Sequence, residues 1–472
     1  MRAYLFPLLQ LQRFFVPALT ILLVWAVWRT VFRRDSAVGL ALYLGLVVIV
    51  DGFLNTGIYL PGFEVGSVRY SEVCAVFLLI NRPPGSWDSG RRTISWVLSA
   101  YFGLLFLSVL RADSVLVSVF DFRRLIVPQI IALLVTRRGF RSGEDYRRFF
   151  LWFTAFVIII GLFTFWDVFF DRWLLKSEVL DHPIYAHNRE LGRFGSFFLN
   201  PNYLGGFVVL VFPPLFIWTL NEPKIWLRRC GWGGLLSLVF CLVETQSRGP
   251  LIAFAFALVL LVLGPCGGRI SRRRRLGFLA VFVMLFALAM PGFFLHAVER
   301  FTSLNKETTA EQVSRQTIWR DTLTIIADHP LAGIGFGEDQ FVKITRSYGV
   351  NALDNPHNSY LQMTVYAGVP CLVAFLFANG ALLTRAVRYA ARGLSAATPT
   401  VFGLATGIAG FLASAYPDMH LFTQTVAPVY WVCFALLLSL VTSVSEPSGE
   451  AQAIITQVTT RGRGEAASGA VR

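Results

Sequence analysis

Four short polar stretches interrupt a strongly apolar chain, and they hold the residue types that handle an anionic group. The first is Arg189-Glu-Leu-Gly-Arg-Phe-Gly-Ser-Phe-Phe-Leu-Asn-Pro-Asn202, where Arg193 precedes a turn and Asn200-Pro201-Asn202 leads into an apolar run. The second is Glu244-Thr-Gln-Ser-Arg-Gly-Pro250, which places Arg248 between two apolar runs. The third, residues 311–327, reads as a helix with Arg315 and Trp319 four apart. Those two side chains can meet on one face, where a cation–π contact is possible. The fourth is Asp354-Asn-Pro-His-Asn-Ser359, followed at once by an apolar run. Asn355 reads there as an N-cap and Pro356 as the first helical residue. That register puts His357 in the first helical turn, where the positive helix end disfavours imidazolium and leaves a neutral base.

Arginine stays protonated and offers a fork of donors that suits phosphate oxygens, and helix starts attract phosphate as well. Each residue also fits a plainer role. His357 can simply anchor a helix end, Arg248 can snorkel, and Asn-Pro-Asn can be only a cap. His182, Tyr185 and His187 stand in the loop before Arg193, and no catalytic pattern singles them out.

The elements that must position these residues follow from composition. Of 472 residues, 55% are hydrophobic and 15% charged, well below the roughly 25% charge of a soluble protein. Runs long enough to span a bilayer cover 194–221, 249–268, 276–298, 355–384, 393–417 and 419–445. Shorter candidates cover 36–50, 70–80, 93–110, 125–136, 149–166 and 230–243. Residues 14–28 read as an uncleaved anchor or an interfacial helix, giving about twelve or thirteen transmembrane helices. Backbone groups in lipid must bond within their own segment, and no alternating pattern suggests a barrel, so the fold class is an all-α polytopic membrane protein.

The net charge of +14 raises nucleic-acid binding as an alternative. Its distribution answers that. Segments 29–35, 81–92, 137–148, 221–229, 265–275, 385–392 and the tail after 443 hold 25 basic residues and eight acidic ones. They alternate with the spans as the positive-inside rule requires, so they read as cytoplasmic, and no nucleic-acid reading motif accompanies them. The long loops, roughly 171–202 and 296–357, and the short turn 244–250 then fall on the other side. Residues 1–442 form the membrane domain, and 443–472, rich in Ser, Thr, Gly, Ala and Glu, read as a disordered cytoplasmic tail. The six cysteines lie in or beside apolar runs and show neither a disulfide framework nor zinc spacing.

Taken in order, Arg193-Phe-Gly-Ser…Asn-Pro-Asn202, Ser247-Arg-Gly249, Arg315…Trp319…Asp328-His-Pro-Leu-Ala-Gly-Ile-Gly335 and His357-Asn-Ser-Tyr-Leu-Gln362 resemble the O-antigen ligase and O-antigen polymerase family. The motifs cover residues 189–370. The resemblance implies a GT-C-like bundle of about twelve helices with a large, partly helical periplasmic loop, in the bacterial inner (cytoplasmic) membrane. It implies transfer of a glycan from a polyprenyl-diphosphate carrier to an acceptor hydroxyl, such as one on lipid A-core. Carried over residue by residue, Arg248 and Arg315 would hold the diphosphate and His357 would act as base, forming the catalytic set. Arg193 matches a further family position and Arg320 is a neighbouring candidate. With Asn202, Trp319 and Asn358 they complete the candidate substrate-binding set.

The residue chemistry agrees with that carry-over. Arginines stabilise charge developing on a departing diphosphate, a base takes the hydroxyl proton, and attack opposite the leaving group inverts the anomeric carbon. No Asp-x-Asp stands on the outer face, so neither a metal nor another cofactor is expected. A polymerase of lipid-linked repeat units for O-antigen, capsule or exopolysaccharide is the main alternative. A transporter is the other. It should show internal repeats and polar residues at mid-membrane, whereas intramembrane charge here is limited to Asp51, Glu72, and Asp121 with Arg123 and Arg124.

Overall fold

The structure is a computed structural model that describes residues 36–53, 69, 71–72, 74, 89–139, 143–170, 188, 191–266, 271–289, 315–349, 355–393 and 397–443. All regular structure among these residues is helical. In chain order the helices are α1 (Ser36–Gly45, continued by a π-helical stretch, Leu46–Phe53), α2 (Ser89–Val109), α3 (Val115–Leu125), α4 (Val127–Gly139) and α5 (Gly143–Phe170). A 3-10 turn, Ser196–Phe198, precedes α6 (Pro201–Asn221), α7 (Ile225–Thr245), α8 (Arg248–Leu263) and α9 (Arg272–Ala289). Then come α10 (Arg315–Asp328), α11 (Glu338–Ser347), α12 (Ser359–Ala367), α13 (Val369–Arg392) and α14 (Thr398–Ser414). A second 3-10 turn, His420–Phe422, leads into α15 (Val426–Ser443).

Four of these helices are long and apolar enough to cross a membrane: Glu144–Phe170, Pro201–Asn221, Ile225–Thr245 and Val369–Arg392. Shorter apolar helices, Ala37–Ile49, Thr93–Val109, Arg248–Leu263, Thr398–Ser414 and Val426–Thr442, complete the set. The chain is an all-α polytopic membrane protein. The expected segment 14–28, the tail 444–472, and His182, Tyr185 and His187 lie outside the described residues, as do nearly all of 70–80 and much of the loop 296–357.

The centre of the bundle is α6, buried over almost its whole length. Its Pro213-Pro214 pair lacks two backbone donors, and Pro214 lies against α14. The α14 glycines allow this. A Cβ on Gly403 would stand 2.9 Å from Pro214 Cα, and one on Gly407 would run into the Leu210 carbonyl. Small residues four apart thus bring two backbones into contact, the usual device between membrane helices. At one end of the bundle, two arginines of the basic segments close helix ends. Arg147 grips the Glu222 carboxylate through two donors, at 2.9 and 2.6 Å. Buried Arg275 donates to the last carbonyls of α8, Leu261 at 2.6 Å and Gly264 at 2.9 Å.

Three sequence expectations change. The run 194–221 is helical only from Pro201, because a tight turn at Phe194–Asn200 precedes it. The run 125–136 becomes α4, with the separate short helix α3 before it. The run 355–384 is two helices, not one. Gly368 takes φ +83 between α12 and α13, and a Cβ there would meet the Leu331 backbone. What fills the break is the glycine-punctuated loop after α10. Ile334 N–H donates to Val365 C=O at 2.8 Å and Gly335 N–H to Tyr366 C=O at 3.2 Å, so the loop caps the end of α12.

Candidate functional site

The four polar stretches come together at the end of the bundle opposite Arg147 and Arg275, around the connector Ala415–Thr425 that joins α14 to α15.

Asn200 caps α6. Its side chain accepts the Asn202 N–H at 2.9 Å, with Pro201 in the first helical position. Asn202 is the junction of the first two stretches. Its Oδ1 accepts from Arg193 Nη2 at 3.1 Å and from the Ser247 hydroxyl. Its Nδ2 donates to the Asp418 carboxylate. The amide orientation is therefore fixed from both sides. Arg193 also donates to the Thr245 carbonyl at the end of α7 (3.3 Å) and to the Asn188 side chain (3.2 Å). Its guanidinium is built into the wall and ties the α6 start to the α7 end.

The Ser-Arg-Gly-Pro turn has a reason at each position. Gln246 takes φ +46 and ends α7, and Ser247, the N-cap of α8, reaches Asn202. Arg248 is then the first residue of α8, half-buried, as the sequence placed it. Gly249 lies against Pro417, since a Cβ there would stand 2.9 Å from Pro417 Cγ. Pro250 packs on Gly205 of α6, where a Cβ would run into its ring.

On α10, Arg315 Nη1 donates to the Pro417 carbonyl at 2.9 Å. Trp319 packs edge-on against Tyr416, with centroids 5.1 Å apart, and its indole N–H donates to the Pro356 carbonyl at 3.1 Å. Both residues therefore face the connector, and the partner of the Trp319 ring is Tyr416. Arg320 stands about 140° further round the helix, on the exposed side. The structure does not bring it to the connector.

His357 requires a correction. It does not lie in the first turn of a helix headed by Asn355. Asn355 Oδ1 accepts the His357 N–H at 2.9 Å in a side-chain turn, and His357 takes φ +48. The N-cap is Asn358, whose Oδ1 accepts from Tyr360 N at 2.9 Å and Leu361 N at 3.1 Å. The helix starts at Ser359 because Ser359 is pinned to the connector. Its N–H donates to Ala415 C=O (3.1 Å) and Asp418 C=O (3.0 Å), and its hydroxyl to Asp418 C=O (2.8 Å). Half-buried His357 thus sits on a strained left-handed turn one step before the helix. Asn358 is buried and caps the helix that follows, while Asn355 holds the turn.

Sequence reasoning missed the connector. Asp418, 3% exposed, takes Asn202 on one oxygen and its neighbour Met419 N–H on the other at 2.8 Å. Its backbone holds Ser359. Pro417 holds Arg315 and leans on Gly249. The available signal was one acidic residue splitting two long apolar runs. His420, fully buried beneath Asp418, was missed too. Its ring lies 6.0 Å from Tyr203 and 5.7 Å from Phe411, with Gly206 leaving it room, and neither ring nitrogen finds a partner among the described residues. Burial lowers its pKa, Asp418 opposes, and the charge of Arg315 lowers it further. His420 is held neutral.

The bundle and this centre define a polytopic membrane protein with several arginines and a half-buried histidine gathered at helix ends on one side. Residues 233–376 match the family described as O-antigen ligase, a stretch that holds Arg248, Arg315, Trp319, Arg320, His357 and Asn358. An O-antigen ligase from Pseudomonas aeruginosa is 30% identical over 213 residues, 44% of this chain and 45% of the relative, so the chain spans about half the length of that relative. Over that stretch the chain is similar to the O-antigen ligase family that the motifs resembled. Arg193, Asn202 and Asp418 lie outside residues 233–376 and are joined to that stretch by the contacts above.

Proposed function

We propose that this chain is a ligase-type membrane glycosyltransferase. It moves a glycan from a polyprenyl-diphosphate carrier to an acceptor hydroxyl, on lipid A-core or a similar lipid, at the periplasmic face of the inner membrane. One observation carries the reading: Arg193, Arg248, Arg315 and His357, scattered over 165 positions of sequence, are gathered around one connector, Ala415–Thr425, which Arg315 touches at Pro417, Arg193 reaches through Asn202 and Asp418, and the turns of Arg248 and His357 reach through Gly249 against Pro417 and Ser359 on Asp418. Cationic side chains and a base are what departure of a diphosphate from a sugar requires.

In this mechanism Arg248 and Arg315 bind the diphosphate and stabilise the charge that grows on it as the bond from anomeric carbon to phosphate oxygen breaks. His357 accepts the proton of the attacking hydroxyl, and the new glycosidic bond forms on the opposite face, with inversion. Arg193 and Asn202 set the position of the Ser247-Arg248 turn. Asn355 and Trp319 set the turn that carries His357, and Asn358 starts the helix that follows it. Arg320, on the exposed side of α10, would meet only the outer part of a bound glycan. The energy resides in the diphosphate linkage, so the step calls for no nucleotide. A metal-independent reaction follows from giving the charge stabilisation to arginine.

Deletion of the gene tests the class. A ligase leaves lipid A-core bare while carrier-linked polymer accumulates. Cores capped by one repeat unit would instead make it a polymerase, and normal lipopolysaccharide with lost exopolysaccharide would move it to another polymer. Arg315→Ala and His357→Ala should abolish transfer while the protein still accumulates in the membrane, and full transfer by either well-expressed variant would overturn the site.

A further inference from the structure

A second feature lies at the same end of the bundle, about a helix length from His357. The loop that caps α12 also forms a wall of a cavity of about 200 Å³ between α3 and α11. Its polar lining is Asp113, Ser114, Asp121, Asp339, Gln340 and Lys343, with Val117 and Phe336 supplying apolar surface. The walls are firmly held. Ser118 Oγ donates to Phe336 C=O at 2.6 Å, Phe336 N–H to Ser108 C=O at 3.1 Å, and Arg124 bridges Asp121 (3.2 Å) and Glu338 (3.0 Å).

Three properties identify an occupant. First, charge: Asp113 is paired with Lys343 and Asp121 with Arg124, so the lining keeps the net charge of one carboxylate, the exposed Asp339, and does not favour the diphosphate that the arginine side attracts. Carboxylates are acceptors and suit a ligand rich in hydroxyl donors. Second, size: the volume is below the roughly 300 Å³ at which pockets begin to enclose drug-sized molecules, which suits one sugar ring. Third, position. The cavity stands beside apolar side chains turned outward, Leu110, Val115, Leu116 and Val119, between 41% and 67% exposed. Such a surface faces lipid in a membrane protein, so a sugar reaching the cavity would come from a lipid-borne glycan. The nine residues of α12, about 13 Å at 1.5 Å per residue, separate it from the turn of His357.

We propose that this cavity is an acceptor subsite. It holds an uncharged sugar residue of the acceptor glycolipid while a hydroxyl further along the same glycan reaches His357. The proposal rests on the ligase reading above.

The test uses the full chain in nanodiscs with polyprenyl-diphosphate-linked glycan as donor and lipid A-core as acceptor. Val117→Trp fills the cavity from a partly exposed position, and Asp339→Asn removes one exposed carboxylate without changing size. The KM for acceptor should rise about tenfold in V117W and severalfold in D339N, with the KM for donor unchanged within about twofold. Unchanged acceptor KM in both variants, or a parallel rise in donor KM, overturns the proposal. If V117W lowers the thermal midpoint, D339N decides. Should wild type transfer nothing, the ligase reading has failed. The cavity is then judged by binding of fluorescent lipid A-core without donor, where about tenfold weaker binding to V117W supports it and equal binding overturns it.

Discussion

Asp418→Asn is the perturbation that probes the connector most sharply. The substitution keeps the side-chain shape and retains one oxygen for the Met419 N–H. The other oxygen becomes an NH2 group facing the Asn202 Nδ2, so one charge-assisted hydrogen bond is lost and two donors confront each other. Asn202 cannot rotate its amide to escape, because its Oδ1 holds Arg193 and Ser247. A hydrogen bond to a charged group is worth about 1.5–3 kcal/mol. If that energy positions the arginines in the transition state, kcat/KM falls about 10- to 150-fold. The swapped pair, Asn202→Asp with Asp418→Asn, restores a donor opposite a carboxylate and leaves Arg193 and Ser247 an acceptor. It should regain at least about tenfold over D418N. The assay is glycan transfer by purified variants, with thermal midpoints measured alongside. A D418N enzyme as active as wild type, or a swapped pair no better than D418N, refutes the reasoning.

Other expectations follow from single contacts. Gly249→Ala places a methyl 2.9 Å from Pro417 Cγ; the connector must shift, and transfer should fall about tenfold with only about 1 kcal/mol lost in stability, read by activity and denaturation together. Gly407→Leu drives a side chain into the Leu210 carbonyl and should prevent accumulation of folded protein, seen by size-exclusion chromatography of detergent extracts. His420 is buried with its folded pKa below the unfolded value. Below about pH 6.5 the unfolded chain therefore binds a proton that the folded chain does not, and stability falls as pH drops through that value. In His420→Gln the thermal midpoint should lose less between pH 8 and pH 5 than in wild type.

Much of this organisation is legible in the sequence, because membrane spans follow from length and hydropathy alone. The polar stretches are legible because a polar residue beside a span is rare enough to stand out. What failed was local competition between caps. Asn355 and Asn358 both offer a side-chain oxygen two residues ahead, and the sequence does not say that the Asp418 carbonyl claims Ser359 and so sets the helix start. The break at Gly368 has a similar origin, since the strand of backbone that fills it comes from Leu331 to Gly335. Asp418 and His420 were hidden for a different reason. Each is a single polar residue in an apolar region, and its meaning lies in distant partners: Asp418 meets Ser359 and Asn202, 59 and 216 residues away, and the His420 ring lies beside Tyr203. Gly403 and Gly407 did carry a readable signal, small residues four apart in a span, and it marks a helix pair whose backbones touch.

The central claim is that His357 and Arg315 transfer a glycan from a polyprenyl diphosphate, and one measurement tests it directly. Purified protein in nanodiscs is given donor labelled in both glycan and phosphate, together with lipid A-core. The account expects labelled glycan on the acceptor and an equal amount of free polyprenyl diphosphate, with both signals lost in H357A and R315A. Glycan transfer by H357A at the wild-type rate, or polyprenyl diphosphate released with no glycan reaching the acceptor, would contradict it.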